Sequence, residues 1–490
     1  MGQAPRFSGP MRISPANRAL GSRARFLQLS STEPTPALSA ERVLNRAVES
    51  PLVRGGLVIV AGLVTGNLLG FLRVALTAYL LGTHSRADSL AVAMGPIDTL
   101  NSVVINSIVF AFVPMLTAAG GKARLALFRR LLRVFAWVLT AISMAVIVAA
   151  PWLMRILAPG LDPVYFTVAT ANLRIFALST VAAGAAAVYC AFLYTGRRFG
   201  PMAFYQAVLN VATIALALAL WRAVGVHAFA IGYTAGAFAQ LAIVWFATRR
   251  ELAHAAAEPC AVSWREIAAK PAFFVVYAAG LGLNIVFTRA YATHVGPGMA
   301  AALDYCMRGV GVPLALLVSP ISNSLLPEIS RLRSLARMRD AFRLIDRTVL
   351  LTALAAVTGC GFAIVFRRPV IGILFQRGSF TAESTGLVAA VFLGMGPSMI
   401  GWSLIEVTAR SLFALDRPWP PVLAAMVPLL LNVAITLRLH SHRPEWLGLG
   451  ASLGLMTGFA VLFAIAHAGR RRWLEPGAAL APVRQVPDLP

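Results

Sequence analysis

Acidic residues are scarce in this 490-residue chain. Nineteen Asp and Glu stand against 43 Lys and Arg, and the four types together make up only 13% of it. Soluble domains carry about 25%, so a fully solvated surface is excluded. Cysteine is scarcer still. Cys190, Cys260, Cys306 and Cys360 lie far apart and form no CxxC pair, which argues against a disulfide framework or a zinc site. The seven histidines are scattered, and His440 and His442 have no cysteine or carboxylate cluster to join. No P-loop, HExxH, GxSxG or acidic pair beside a histidine occurs. The chain is therefore expected to be no enzyme of those kinds, no self-contained ATP-driven pump and no holder of a resident cofactor. Residues 1–50 lack the apolar h-region of a secretory signal, and Arg6 stands where N-myristoylation needs Ser or Thr.

What fills the chain is apolar sequence, 58% of residues with a mean hydropathy of +0.75. A spanning helix needs about 20 apolar residues. Stretches of that kind are read over 55–80, 89–116, 132–157, 165–194, 202–221, 227–248, 271–295, 300–327, 347–366, 385–414, 420–437 and 447–467. The expected fold is an all-α polytopic membrane protein of about 12 transmembrane helices. The longest polar connection, 249–270, divides it into an N-terminal lobe, 51–255, and a C-terminal lobe, 256–475. Residues 1–50, rich in Arg, Ser and Pro, are expected to be a basic cytosolic tail or to precede the true start, and 476–490 a second tail.

The net charge of +24 follows the spans rather than one soluble face, so nucleic acid is not an expected partner. Lys122, Arg124, Arg129, Arg130, Arg249, Arg250, Arg331, Arg333 and Arg470 follow even-numbered spans, whereas 158–164 and 296–299 contain no Lys or Arg. By the positive-inside rule both termini face the cytoplasm. The loop around Arg367, Arg368 and Arg377 breaks this pattern and is expected to fold back on the protein. The segment 328–346 reads either as an amphipathic helix on the inner leaflet or as a solvated basic loop.

Several spans carry charge: Arg73, Asp98, Arg289, Asp304, Arg308, Glu406 and Arg410. Charge within a span costs several kcal/mol unless it faces protein, water or a partner, so a polar cavity between helices is expected. Asp304 and Arg308, and likewise Glu406 and Arg410, have the i,i+4 spacing of pairs that neutralise one another. Gly62, Gly66 and Gly70 recur on one helix face and predict close helix packing. Pro96, Pro114, Pro313, Pro320, Pro397 and Pro428 predict breaks, which membrane helices tolerate beside neighbours or cavity water.

Ordered strings then carry a resemblance. Leu69-Gly70-Phe71-Leu72-Arg73, Ala87-Asp88, Ala111-Phe112-Val113-Pro114, Ala150-Pro151-Trp152, Ala158-Pro159-Gly160, Arg198-Phe199 with Asn210, and Arg308 with Leu325-Leu326-Pro327 resemble the MurJ/MviN lipid II flippases of the MOP superfamily. Leu374-Phe375-Gln376-Arg377-Gly378-Ser379-Phe380-Thr381 is the most specific match, and the order holds over about 52–440. The resemblance implies two six-helix lobes around a central cavity in the bacterial inner membrane. It implies alternating access and transport of an undecaprenyl-pyrophosphate-linked glycan. The partners would be that lipid-linked glycan, the bilayer and envelope-biosynthesis enzymes, with coupling to an ion gradient or the membrane potential. Arginine suits such a cargo because its fork of donors binds phosphate in a bidentate way.

Departures matter. Asn67 stands where the family has an arginine. Leu100-Asn101 and Ile105 replace an arginine pair and a glutamate, a glutamate expected near Gly311 is missing, and two usual C-terminal helices are not found. The candidate substrate-binding residues are Arg73 and Arg308, then Asp88, Asn67, Asn101, Asp304 and Arg289. Alternatives left open are a Wzx-like exopolysaccharide or O-antigen exporter, a small-solute exporter of the same fold, and a non-transporting scaffold in an envelope-polysaccharide complex.

Overall fold

The computed structural model describes residues 51–119, 121–196, 198, 200–253, 264–313, 319–335, 337–439 and 442–473. The expectations for 1–50, 476–490 and Cys260 lie outside them. The described residues from Leu57 onward form one compact unit, and of Met1–Gly56 only the start of the first helix is described.

The first helices are α1 (Pro51–Leu81), α2 (Ser85–Ala118), α3 (Gly121–Leu157), α4 (Pro163–Thr195), the single turn α5 (Gly200–Ala203), α6 (Tyr205–Val224) and α7 (His227–Ala253). After the longest connection come α8 (Trp264–Val295), α9 (Met299–Pro313), α10 (Ser319–Ser334), α11 (Met338–Val365), the short α12 (Arg367–Phe375), α13 (Ala382–Met395), α14 (Ser398–Ala414), α15 (Trp419–Leu439) and α16 (Leu449–Trp473). Among the described residues ten helices are long and apolar enough to cross a membrane, and the pair α13 and α14, bent by 47°, passes the same test together as a broken span or a re-entrant loop. Pro397, which has no N–H to continue the ladder, sits at that bend. The span expected over 300–327 is two helices, α9 and α10, with 314–318 outside the described residues.

Packing divides the helices by their small residues. The run Ala182–Ala187 of α4 lets α2, α3 and α7 approach its backbone. Asp162 starts α4 by accepting the Val164 N–H at 2.9 Å, with Pro163 in the first turn, where no N–H is needed. On the C-terminal side α8 packs on α15, α15 on α16, α16 on α14, and α14 on α11. The two groups meet where α2 lies against α8 and α9. Large apolar side chains remain exposed on the outer helices, among them Trp137, Val148 and Ile156 of α3 and Leu350, Phe362 and Val365 of α11. A surface of that kind needs hydrocarbon to cover it.

Three local expectations resolve. The glycine face of α1 is a packing face. Gly66 and Gly70 lie against Gln206 and Asn210, and Asn210 Nδ2 donates to the Gly66 carbonyl at 3.1 Å. Residues 328–346 are neither a surface helix nor a basic loop. They are the end of α10 and the start of α11, joined by a turn. Leu332 and Phe342 are buried in the protein core, and ion pairs Arg331–Glu328 and Arg337–Asp340 support the helix ends. The Arg367–Arg377 region does fold back, as α12 and a strap packed on α13. Cys190, Cys306 and Cys360 are buried free thiols.

A side chain at Gly62 would overlap the backbone of Ala203, whereas one at Gly361 would meet nothing within 4 Å. Overpacking of this sort costs about 1–3 kcal/mol. Gly62→Leu is expected to lower the thermal unfolding midpoint of the purified protein by several degrees, and Gly361→Ala to leave it unchanged. Equal midpoints would contradict the close α1 contact.

Candidate functional site

A chamber of about 280 Å³ lies among α1, α2, α7, α8 and α9. Five charged side chains line it: Arg73 from α1, Asp98 from α2, Arg289 from α8, and Asp304 and Arg308 from α9. Arg73 is 7% exposed. It lies over the Tyr233 ring, its Cζ 5.5 Å from the centroid, and Nη1 reaches Met94 Sδ at 3.7 Å. This arginine is thus held in the protein rather than snorkelling to the interface. Its Nε has no acceptor among the described residues. Asp98 accepts a hydrogen bond from Tyr233 Oη at 3.1 Å.

Asp304 does not pair with Arg308, one turn further along α9. It accepts from Arg289 of α8, Nε at 2.8 Å and Nη2 at 2.5 Å. Helix spacing allows the first pairing, but the two-donor fork of Arg289 satisfies one carboxylate oxygen twice and wins. Gly95 makes this possible, because a Cβ there would overlap the Arg289 guanidinium. Arg289 Nη1 keeps no acceptor. Arg308 forms no hydrogen bond or ion pair among the described residues. The sum is three positive against two negative side chains, a net single positive charge, with guanidinium donors left over. The second expected pair does form: Arg410 Nη2 meets Glu406 Oε1 at 2.5 Å, away from the chamber.

One end of the chamber is closed by the turn between α1 and α2. Gly82, at φ +59°, makes that turn in a conformation suited to glycine. The Gly82 carbonyl accepts from Tyr305 Oη at 2.9 Å, and Thr83 Oγ1 donates to Ser384 Oγ at 2.8 Å. The Ser379 N–H donates to the Tyr79 carbonyl at 2.8 Å. Tyr305, Phe375 and Phe380 pack ring to ring beneath the strap. Asp88 completes the closure. Its Oδ2 accepts the Gly298 N–H at 2.5 Å and its Oδ1 the Ala301 N–H at 2.8 Å. A carboxylate at the start of α9 satisfies orphan amides and faces the positive end of the helix dipole.

Two further cavities adjoin the chamber. An apolar groove of about 660 Å³ runs between α1, α9, α11 and α12, lined by Leu68, Phe71, Gly309, Phe362 and Ile371, and shares Asn67, Tyr305 and Arg308 with the chamber. A polar pocket of about 190 Å³ lies beyond Asp98 and Tyr233, among α2, α4, α6 and α7.

Of the residues singled out from the sequence, Arg73, Arg308, Arg289, Asp304 and Asn67 come together. Asp88 lies outside the chamber, in the closure. Asn101 lies outside it as well, in the polar pocket, donating to Ser179 Oγ at 3.1 Å. Asp98, Tyr233 and Gly95 were not among the candidates. The signal for Asp98 was a charge in a span, but nothing in the sequence names Tyr233 as its donor. Among the described residues no cluster of three or more His, Cys, Asp or Glu could hold a metal ion.

The Arg289–Asp304 pair generates a stability test. Removing one partner of a buried pair costs about 3–5 kcal/mol, because the other charge stays uncompensated. Arg289→Ala is expected to destabilise the purified protein strongly, and the double change Arg289→Gln with Asp304→Asn to recover most of the loss. Arg308→Ala should cost little, since no partner is orphaned. Thermal unfolding checks the order. A larger loss for Arg308→Ala than for Arg289→Ala would contradict this pairing.

Comparison with known proteins agrees with this architecture. The family model described as lipid II flippase MurJ matches residues 77–481. A probable lipid II flippase MurJ of Rhizobium meliloti is 26% identical over 78% of this chain and 74% of its own length. The lipid II flippase MurJ of Burkholderia cenocepacia is 27% identical over 83% of each. Among solved structures, lipid II flippase MurJ in an inward closed conformation aligns at a TM-score of 0.71 and 18% identity, covering 84% of this chain and 87% of that one. An inward-facing MATE multidrug transporter of the MOP superfamily also reaches 0.71 at 10% identity, covering 82% and 95%. These structural likenesses establish the shared fold, and the match to the family model over most of the sequence establishes that the chain belongs to the MurJ family.

Proposed function

We propose that this protein moves a polyprenyl-pyrophosphate-linked glycan, lipid II or a polysaccharide repeat unit, from the inner to the outer leaflet of the bacterial cytoplasmic membrane. The observation that carries the reading is the surplus of guanidinium donors in the chamber: Arg308 without a partner, Arg73 Nε and Arg289 Nη1 without acceptors. Donors buried without acceptors are rare in folded proteins. An anion with several oxygens satisfies them, and a pyrophosphate offers those oxygens with charge complementary to the chamber. The names of the relatives support the same cargo class.

The physical task is desolvation. Moving a pyrophosphate and its sugars through hydrocarbon strips water from every polar group. A chamber of preplaced cations lowers that barrier without making or breaking a bond. The adjoining apolar groove suits the hydrocarbon of the same molecule, with Arg308 at the junction of the two cavities. Access to the chamber alternates when the α1–α2 turn, the strap and the start of α9 part on one side and the opposite ends close. In our reading the Lys- and Arg-rich connections and both termini face the cytoplasm, so the closed end is periplasmic.

Flipping of a fluorescent lipid-linked pyrophosphoryl glycan by reconstituted protein tests the proposal. Wild type is expected to exceed Arg308→Lys, which keeps charge and loses the fork, and Arg308→Ala is expected to be lowest, at least tenfold down. Wild-type flipping unaffected by the loss of Arg73 and Arg308 together would refute the role of the chamber. Orientation is checked by single-cysteine labelling, with position 160 reached from the periplasm and position 124 from the cytoplasm.

A further inference from the structure

Asp98 is the one carboxylate of the chamber held by a neutral donor alone. Asp304 is fixed by two N–H groups of Arg289, and its charge is what keeps that arginine in place. Asp98 receives only the Tyr233 hydroxyl, at 3.1 Å, and its second oxygen has no donor among the described residues. It also stands at a boundary, lining both the charged chamber and the polar pocket beyond it. That pocket, of about 190 Å³, is lined by Ser102, Asn106, Tyr205, Gln206 and Gln240. It is polar and roomy enough for several waters at about 30 Å³ each. Asp98 therefore touches both the place where an anion would sit and a polar pocket with room for water.

The charges decide what happens when the chamber fills. Arg73, Arg289 and Arg308 against Asp98 and Asp304 give a net single positive charge. A pyrophosphate diester brings two negative charges. The loaded chamber would carry one net negative charge inside a low-dielectric bundle, where unbalanced charge is expensive. One added positive charge restores neutrality. A metal ion is poorly served here, since no group of three or more His, Cys, Asp or Glu that could hold one occurs among the described residues. A proton needs only the carboxylate. The Tyr233 hydroxyl can donate to the ionised acid and accept from the protonated one, so the site serves both states.

Resting on the cargo class proposed above, we propose that Asp98 is the proton-binding site of the transport cycle: it is ionised beside Arg73 in the empty chamber and takes up one proton when the pyrophosphate binds, so that the loaded chamber is neutral. Proton and cargo then assist one another, and by linkage each favours the other equally. The groups facing Asp98 are Arg73 on α1, Tyr233 on α7, Arg289 on α8, and Asp304 and Arg308 on α9. Of these, Asp304 alone is a carboxylate, and it is committed to Arg289.

Titration calorimetry of the full-length protein tests this. The probe is farnesyl-pyrophosphoryl-N-acetylglucosamine, whose diester has no ionisation near neutral pH. Runs in buffers of different ionisation heat count the protons exchanged. Wild type is expected to take up close to one proton per probe bound, with affinity falling by up to about tenfold per pH unit as pH rises through the linked range. Asp98→Asn should bind with no uptake and no pH dependence, while Asp304→Asn keeps the uptake. Binding by wild type without proton uptake overturns the inference whatever the variants do. So does uptake retained in a folded Asp98→Asn or lost only in Asp304→Asn. Binding that requires sodium in place of choline, with no proton exchanged, overturns it in favour of a metal cation. Absence of any binding that depends on Arg73 and Arg308 overturns the cargo reading itself, and this inference with it.

Discussion

A guanidinium inside a bilayer must find a partner, and the Arg289–Asp304 contact is where this protein meets that demand first. The fork of Arg289 crosses from α8 to α9 and closes on one oxygen of Asp304. It fixes the two helices that begin the C-terminal group, and it needs the bare backbone of Gly95 on α2 to fit. Three helices thus share one electrostatic solution. Because Asp304 is used up in it, Arg308 on the same helix is left without a hydrogen-bonded or ion-paired acid among the described residues. The three-to-two count of cations over acids gives the chamber its capacity for an anion, and that allocation decides which guanidinium is free to meet it. Had Asp304 paired with Arg308, Arg289 would be the guanidinium left over, and the spare donors would sit on α8 rather than at the mouth of the apolar groove.

The closure at one end uses a different economy of groups. Most of its bonds run through backbone atoms: the Gly82 and Tyr79 carbonyls and the amides of Gly298, Ala301 and Ser379. Asp88 supplies a charged acceptor, placed on a helix start where backbone donors await one. Contacts of this kind are short and directional, and they vanish with small separations. They suit a seam that opens and closes, whereas the chamber charges suit a site that must persist. The charged groups of the closure and of the chamber are therefore separate, Asp88 and Asp98 standing about three turns apart on α2, while Tyr305 serves both.

Much of this was legible in the sequence. Helix positions came from apolar runs, and the existence of a polar interior came from Arg73, Arg289, Asp304 and Arg308 within those runs. The string Leu374–Thr381, the most specific mark of the resemblance, is the strap that lies on the α1–α2 turn, with Gly378 at φ +61° against Tyr79. What could not be read were partnerships between distant helices. Spacing pointed Asp304 to Arg308, because i,i+4 neighbours are visible in one dimension and Arg289 across a helix interface is not. Asp88 looked like a ligand for cargo, since its true partners, amides about 210 residues away, leave no trace in side-chain identity. Basic residues in 328–346 suggested a surface segment, but local ion pairs carry them on two ordinary helix ends.

The central claim is that Arg73 and Arg308 hold the phosphates of a lipid-linked glycan between them. A density map of the protein bound to a short-chain polyprenyl-pyrophosphoryl sugar tests it most directly. The account predicts phosphate density in the chamber within hydrogen-bond distance of both guanidiniums, with the hydrocarbon extending past Arg308 into the apolar groove. Phosphate density outside the chamber, with Arg73 and Arg308 unaltered and unliganded, would contradict it.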